Sequence, residues 1–187
     1  MVKKAVCLLA DGFEDVEAVT PIDYLRRAGV EVTTVSISGN LTVSSRWGGI
    51  KLIAANTLTE FMLRGYSDCD AVIVPGGMPG AANLAASKET AVLLKDMAAA
   101  GKLICAICAS PVVVLSPLGL LSGKKFTCYP GMEEKTTGGF WADDRVVIDG
   151  NIITSRAAGT AGEFAIAIIE KLLGEAAGKK IAESVLL

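Results

Sequence analysis

Residues 2–37 read VKKAVCLLADGFEDVEAVTPIDYLRRAGVEVTTVSI. The apolar run at 2–9 predicts a buried strand, and the β-branched run at 30–37 predicts a second one. Between them, apolar side chains recur about every three residues and Gly29 follows the last, a pattern typical of an amphipathic helix. Pro21 lies inside this pattern, so we expect either a kink or a later helix start. A strand, a helix and a strand in this order form the unit of a parallel sheet.

The rest of the chain continues the alternation. Further strands are predicted at 71–74 and 102–107, helices at 87–100 and 108–115, and hairpins at 39–55 and 146–154. Thr160 and Glu163 have the spacing of a capping box, which predicts a final helix that ends at Gly174. Together these elements predict one α/β domain over residues 1–187, with a mainly parallel sheet covered by helices on both faces.

Parallel α/β sheets bind ligands at the carboxyl ends of their strands. Three strand-to-helix turns therefore matter, at residues 10–15, 75–80 and 107–110. If their strands are neighbours, these turns share one rim of the sheet.

Composition excludes several classes of function. The 187 residues include 18 Lys and Arg against 20 Asp and Glu, which leaves no cationic excess for nucleic acid. The absence of histidine excludes a Cys-His or Ser-His catalytic pair and any His-ligated metal site. No phosphate-binding glycine motif occurs. We expect neither a metal nor a cofactor.

The early apolar run stops at Asp11 after six residues, which is too short for a signal peptide, and no stretch is long enough to span a membrane. The five cysteines cannot all pair, and unpaired thiols suit a reducing compartment. We therefore expect a cytoplasmic protein with no membrane association.

Cys108 is the strongest candidate for chemistry. It has small neighbours two residues away on each side, at Ala106 and Ser110, where a predicted strand meets a helix. This is the pattern of a nucleophile elbow, with cysteine in place of serine. A helix N-terminus at that point would favour the thiolate. The alternative is a buried structural cysteine, which is our expectation for Cys7, Cys69 and Cys105.

Cys105 and Cys108 also form a C-x-x-C motif, which suggests a redox dithiol. A continuing strand would separate their Cα atoms by about 10 Å and favour opposite faces. A disulfide requires about 7 Å or less, so a lone reactive thiol is favoured.

Two other turns carry candidate groups. Four carboxylates lie within residues 11–17, and any of them facing a cysteine would serve as a general acid or base. Acidic residues also balance a helix dipole without any further role. Pro75-Gly76-Gly77 ends a strand and predicts either a tight turn or a close backbone approach to an oxyanion.

The chain resembles, nearly end to end, the ThiJ/PfpI superfamily, and most of all its DJ-one (Parkinsonism-associated protein deglycase) branch. The matching segments are LLADGFEDVEAVTPIDYLRRAGVEVT, DAVIVPGGMPGAANL, AICASP and IITSRAAGTAGEFAIAIIEKL. The resemblance implies a flavodoxin-like sandwich of the class I glutamine amidotransferase type and a homodimer.

The resemblance also implies roles for individual residues. It marks Cys108 as an oxidisable nucleophile and Glu17 as the carboxyl that contacts the sulfur. It assigns the N–H groups of Gly76 and Ala109 to an oxyanion. It places Arg46 and Arg156 near the site or the dimer interface.

One departure limits the chemistry. Where close relatives have Thr-His-Pro, this chain has Cys128-Tyr129-Pro130, and Ala109 occupies the position of the histidine in the peptidases of the superfamily. A Cys-His peptidase is therefore excluded. The Tyr129 hydroxyl would be a hydrogen-bond donor and a poor base at neutral pH, which leaves Glu17 as the general base.

From these features we expect a cofactor-free cysteine protein that acts on reactive carbonyls. Its reaction would be the conversion of 2-oxoaldehydes to 2-hydroxy acids, as in a glyoxalase, or the removal of early glycation adducts, as in a deglycase. The alternative is a redox-sensing or protective, chaperone-like protein that is switched by oxidation of Cys108 and has little or no catalytic activity.

Overall fold

The computed structural model describes residues 1–187, with a seven-stranded sheet at its centre. The strands are β1 (Lys4–Leu9), β2 (Glu31–Ser36), β3 (Thr42–Ser44), β4 (Lys51–Ile53), β5 (Asn56–Thr57), β6 (Ala71–Val74), β7 (Leu103–Ile107), β8 (Lys125–Phe126), β9 (Phe140–Trp141), β10 (Val146–Asp149) and β11 (Ile152–Ser155). The α-helices are α1 (Asp15–Arg27), α2 (Leu58–Arg64), α3 (Gly80–Ala86), α4 (Lys88–Ala99), α5 (Ala161–Leu173) and α6 (Glu175–Val185).

The central sheet has the order β10-β11-β7-β6-β1-β2-β5. Every neighbouring pair is parallel except β10 with β11 at one edge. The predicted mainly parallel sheet is confirmed. Since β6 lies between β7 and β1, the three turns that follow these strands meet at one rim, as predicted.

Apolar residues cover both faces of the sheet. Along β7, Cys105 and Ile107 belong to one core cluster, while Ile104 and Ala106 belong to the other. The first cluster includes side chains of α1 and α5, and the second includes side chains of α2, α3 and α4. Burial on both faces explains why the central strands are almost continuously apolar. The flavodoxin-like α/β sandwich is confirmed.

Helix α1 begins at Asp15 and continues through Pro21. The alternative of a later start is therefore wrong. The Glu14 carboxylate caps the helix by accepting a hydrogen bond from the Glu17 N–H at 2.8 Å. This cap fixes the first turn of α1, where the acidic cluster lies.

The segment after β7 differs from the predicted helix over 108–115. Cys108 has a φ of 66°, which a right-handed helix cannot accommodate. The helical structure begins instead at Pro111 as a π-helix over Pro111–Leu115, followed by a 3₁₀ turn over Ser116–Leu118. The left-handed elbow and the proline after it delay the helix by three residues.

The predicted capping box at Thr160 and Glu163 is wrong. The Thr160 hydroxyl lies 2.7 Å from the Ser155 hydroxyl, so it is held by the sheet. Glu163 accepts a hydrogen bond from Arg145 at 2.7 Å. Gly174 does end α5, but α6 follows directly and was not predicted.

Both predicted hairpins are confirmed, as β3–β4 and β10–β11. A bridge between Phe13 and Ser45 joins the first hairpin to the turn before α1. No helix has the length and apolar character needed to cross a membrane. The extent of the single domain stays a prediction.

Candidate active site

Cys108 forms a strained elbow directly after β7. Its φ of 66° is rare for a residue with a side chain. The Cys108 N–H donates to the Ser155 carbonyl at 2.9 Å, and the Cys108 carbonyl accepts from the Tyr129 N–H at 2.8 Å. The Ser110 hydroxyl donates to the Pro75 carbonyl at 2.6 Å. These bonds hold the elbow in a conformation that a single residue would not keep by itself.

Glu17, in the first turn of α1, is the carboxyl at the sulfur. Glu17 is 1% exposed, and its carboxyl lies beside the Cys108 side chain, across the backbone of Gly76. The Gly76 N–H donates to Oε2 of Glu17 at 3.0 Å, and the Ala158 N–H also faces the carboxyl. Of the four carboxylates in the acidic cluster, the structure brings this one to the cysteine.

Burial governs protonation in the Glu17–Cys108 pair. Desolvation raises the pKa of Glu17 to about 7, and the charge of Glu14 adds to the increase. Desolvation also raises the pKa of the Cys108 thiol, and the adjacent Glu17 raises it further. Two negative charges cannot both persist in this buried site, so near neutral pH the pair retains a proton.

The structure lacks the helix N-terminus that was expected to favour a thiolate at Cys108. No α-helix begins at Cys108, and the N–H groups of Gly77 and Ala109, which lower the pKa of the thiol, are outweighed by burial and by Glu17. A thiolate forms here only as Glu17 takes up the proton.

The predicted oxyanion donors are corrected in part. The Gly76 N–H is already bonded to Glu17, so it is not free for an oxyanion. The next N–H along the chain, that of Gly77, faces the Cys108 sulfur together with the N–H of Ala109. The role of Ala109 as an oxyanion donor stays a prediction, and the Gly77 N–H is the alternative to that of Gly76.

Gly76 separates the side chains of Glu17 and Cys108. A Cβ atom at this position would lie 2.6 Å from Oε2 of Glu17 and 2.7 Å from Cβ of Cys108. Real Cβ atoms do not approach other atoms so closely. The absence of a side chain at Gly76 is thus what allows Glu17 to reach Cys108.

A cavity of about 380 Å³ opens above Cys108. Tyr129 and Arg46 line it, in agreement with the sequence-based placement near the site. The lining also includes Met78, Met132 and Lys135, which the sequence analysis did not select. Met78 lies in the predicted turn at residues 75–80, whereas Met132 and Lys135 lie in a segment where the sequence analysis found no motif.

Arg156 does not line the cavity. Its guanidinium is paired with Asp143, and its charge lowers the pKa of the buried Cys128 thiol against the larger effect of burial. The structure therefore gives Arg156 a position beside the site, and Arg46 a position in it.

The other four cysteines are buried in the protein. Cys7, Cys69 and Cys105 are buried, as predicted, and all five thiols are unpaired. The Cys105 side chain is fully buried in the core. Burial raises the pKa of Cys7, Cys69 and Cys105 thiols well above the ordinary value, so they are poor nucleophiles.

Fold and site together define a flavodoxin-like α/β protein with a cysteine at its nucleophile elbow and a carboxyl beside the sulfur. The chain belongs to the DJ-1/PfpI family, whose sequence profile matches residues 3–171.

Relatives at full length support this membership. Protein dj-1beta of Drosophila melanogaster is 37% identical over 100% of this chain and 98% of its own length. The oxidised DJ-1 of Toxoplasma gondii has a TM-score of 0.94 at 37% identity, covering 99% of this chain and 98% of its own. The crystal structure of Drosophila DJ-1beta has a TM-score of 0.93 at 36% identity and covers 100% and 99%.

Longer relatives also match. DJ-1 homolog B of Arabidopsis thaliana is 42% identical over 96% of this chain, and DJ-1 homolog A is 37% identical over 96%. The chain spans only 40% and 45% of the lengths of these two proteins.

The first prediction concerns Gly76→Ala. The added methyl group displaces Glu17 or Cys108, so we expect a loss of about 1–3 kcal/mol in the free energy of unfolding and a changed alkylation rate at Cys108. Denaturant titration and iodoacetamide kinetics measure these effects. Gly39→Ala is the matched control, since no atom lies within 4 Å of its Cβ position. Equal stability and equal alkylation rates in the two variants would contradict the close approach.

The second prediction concerns the pH dependence of stability. The pKa of Glu17 is about 7 in the folded state, and that of an unfolded glutamate is about 4.3. Between these values the folded state binds more protons, so the parent loses about 3 kcal/mol as pH rises from 4 to 8. Glu17→Gln lacks this loss.

We therefore expect the free energy of unfolding of Glu17→Gln to rise relative to that of the parent by about 3 kcal/mol between pH 4 and pH 8. Denaturant unfolding at several pH values measures it. Glu134→Gln, at an exposed position, controls for the loss of a charge. Parallel stability curves for Glu17→Gln and the parent would show that Glu17 ionises normally.

Proposed function

We propose that this protein is a cofactor-free, single-domain cysteine enzyme that converts small 2-oxoaldehydes to 2-hydroxy acids, or acts on early glycation adducts by the same thiol chemistry. The observation that carries the proposal is the contact between Cys108 and the buried Glu17 beneath an open cavity. A relative from Caenorhabditis elegans, 35% identical over 92% of this chain and 90% of its own, is named glutathione-independent glyoxalase DJR-1.2.

The first step is addition of the thiol to the aldehyde. The Glu17 carboxylate accepts the thiol proton as the sulfur bonds to the aldehyde carbon, and the carbonyl electron pair moves to oxygen. The N–H groups of Gly77 and Ala109 lower the pKa of the Cys108 thiol, which supports a role for them in stabilising the new oxyanion. Glu17 then returns its proton to that oxygen, which gives a hemithioacetal.

The second step moves hydrogen between the two carbons. Glu17, again a carboxylate, removes the proton from the carbon that carries sulfur, giving an enediolate, and returns it to the neighbouring carbon. The hydroxyl proton moves from the first oxygen to the second, so a 2-hydroxy thioester remains on Cys108. Water hydrolyses the thioester, releasing the 2-hydroxy acid and restoring the thiol. A carboxyl with a pKa of about 7 can both accept and donate protons at neutral pH.

A second candidate function has its own support. The donors around Cys108, namely Glu17, Gly77 and Ala109, would also hold the oxygens of an oxidised sulfur. The protein would then sense oxidants or protect partners, with Cys108 oxidation as its switch. The free thiols favour the cytoplasm as the location for either function.

Turnover of methylglyoxal without glutathione tests the enzyme proposal. We expect lactate formation by the parent and a loss of about a hundredfold or more in Cys108→Ser, because a hydroxyl is a much weaker nucleophile than a thiol. Cys69→Ser is the control, since its hydroxyl can keep the hydrogen bond to the Ala71 carbonyl, far from the cavity.

An inactive parent whose Cys108 nevertheless gains sulfinate under mild peroxide would reject the enzyme proposal and support the redox function. Peptide mass spectrometry identifies the oxidised residue.

Tyr129→Phe tests the proposed hydroxyl donor. The half-exposed Tyr129 side chain lines the cavity, and its backbone N–H bond to Cys108 survives this substitution. Loss of a well-placed donor lowers turnover by about a hundred to a thousandfold. Tyr66→Phe is the control, because its hydroxyl bonds to Asp96 away from the site. A parental rate in Tyr129→Phe would exclude a catalytic part for the hydroxyl.

We also propose a homodimer. Five large apolar side chains are exposed on α1 and the adjoining hairpin: Val16, Val19, Trp47, Ile50 and Ile53. The bridge between Phe13 and Ser45 makes these two elements neighbours. Exposed apolar side chains on neighbouring elements are typical of a subunit interface.

Light scattering is expected to give about twice the chain mass of 19.3 kDa. Ile53→Glu is expected to shift the population toward monomer, whereas Leu63→Glu, on an equally exposed position of α2, leaves it unchanged. A parent that stays monomeric at high micromolar concentration would contradict the interface.

A further inference from the structure

The cavity above Cys108 has an unusual set of polar side chains. Apart from Cys108 itself, these are Arg46, Tyr129 and Lys135. All three are hydrogen-bond donors and two are cations, while no aspartate or glutamate lines the cavity. Such a wall favours a ligand that carries negative charge.

Neither cation is neutralised within the protein. Seven ion pairs occur in the structure, and neither Arg46 nor Lys135 belongs to one. Arg46 lies over the Trp47 ring, with 4.6 Å to its centroid, a contact that orients the guanidinium without cancelling its charge. Glu133 and Glu134 precede Lys135 in the chain, but neither lines the cavity.

The cavity is also larger than the simplest substrate needs. Its volume is about 380 Å³, whereas one water molecule takes up about 30 Å³ in the liquid. A three-carbon aldehyde bonded to Cys108 fills only a small part of this space. The remaining volume contains the two cations, so a longer substrate would place its far end against them.

We propose that the cavity is built for an anionic carbonyl compound, with its aldehyde at Cys108 and a carboxylate or phosphate group held by Arg46 and Lys135. The proposal rests on the carbonyl chemistry assigned above and names the class of substrate. Arg46 and Lys135 are binding residues that determine specificity. Cys108 and Glu17 supply the chemistry for neutral and anionic substrates alike.

The charge preference is measurable without any turnover. Iodoacetate and iodoacetamide alkylate the same thiol, but only iodoacetate is an anion. The ratio of their rate constants at Cys108, divided by the ratio for a small free thiol, reports the electrostatic potential of the cavity. We expect the parent ratio to favour iodoacetate, and Lys135→Met to lower that ratio about three- to tenfold.

Control variants separate charge from structure. Lys135→Arg retains the cation and is expected to keep the parent ratio. Lys95→Met removes an exposed lysine on α4, outside the cavity, and is expected to have no effect. Arg46→Met provides a second, independent loss of charge from the cavity wall. An unchanged ratio in both Lys135→Met and Arg46→Met would overturn the proposal.

Protection against iodoacetamide identifies the anionic group. Glycerol 3-phosphate supplies a phosphate, D-lactate a carboxylate, and glycerol is the neutral control. Protection by glycerol 3-phosphate alone indicates a phosphorylated substrate, and protection by lactate alone indicates a carboxylate. Protection by both supports the shared anionic chemistry, provided that it weakens in Lys135→Met. No protection by either anion, or equal protection by glycerol, would overturn the proposal.

The absence of methylglyoxal turnover in the parent protein would reject only the enzymatic function, because these alkylation measurements do not depend on turnover.

Discussion

The contact between Glu17 and Cys108 depends on the missing side chain at Gly76. Three neighbouring parallel strands end at one rim, and the turn after the middle strand passes between the carboxyl and the thiol. Only a glycine fits there, and its N–H also orients Glu17. The strained elbow at Cys108 is tied to the same turn by Ser110. The proposed chemistry therefore depends on how closely these three turns approach one another.

This close approach has an electrostatic consequence. Buried carboxyl and thiol groups in contact cannot both ionise, so the pair retains one proton. This is the proton that the proposed mechanism transfers. The burial of Glu17 also lowers the free energy of unfolding near neutral pH, where an unfolded glutamate is ionised. The cavity above adds the opposite charge, through Arg46 and Lys135. This cationic wall would favour the anionic substrate proposed above.

The fold was predictable because its signals are local. Strands buried on both faces are continuously apolar, and this pattern together with the alternation of strands and helices indicated the parallel sheet. Cys108 was recognisable from its small neighbours. Glu17 was not distinguishable from three other carboxylates without the family resemblance, because only packing selects one of them. The direction of the Gly76 and Gly77 N–H groups depends on turn geometry, and Lys135 reaches the cavity from a 3₁₀ turn with no periodic pattern.

Infrared spectroscopy tests the shared proton most directly. A protonated carboxyl group has a carbonyl stretching band distinct from that of a carboxylate. The account predicts one such band that persists at pH 6, disappears with a midpoint at about pH 7, and is absent from Glu17→Gln. The absence of any protonated carboxyl above pH 5.5, or a band that remains in Glu17→Gln, would contradict it.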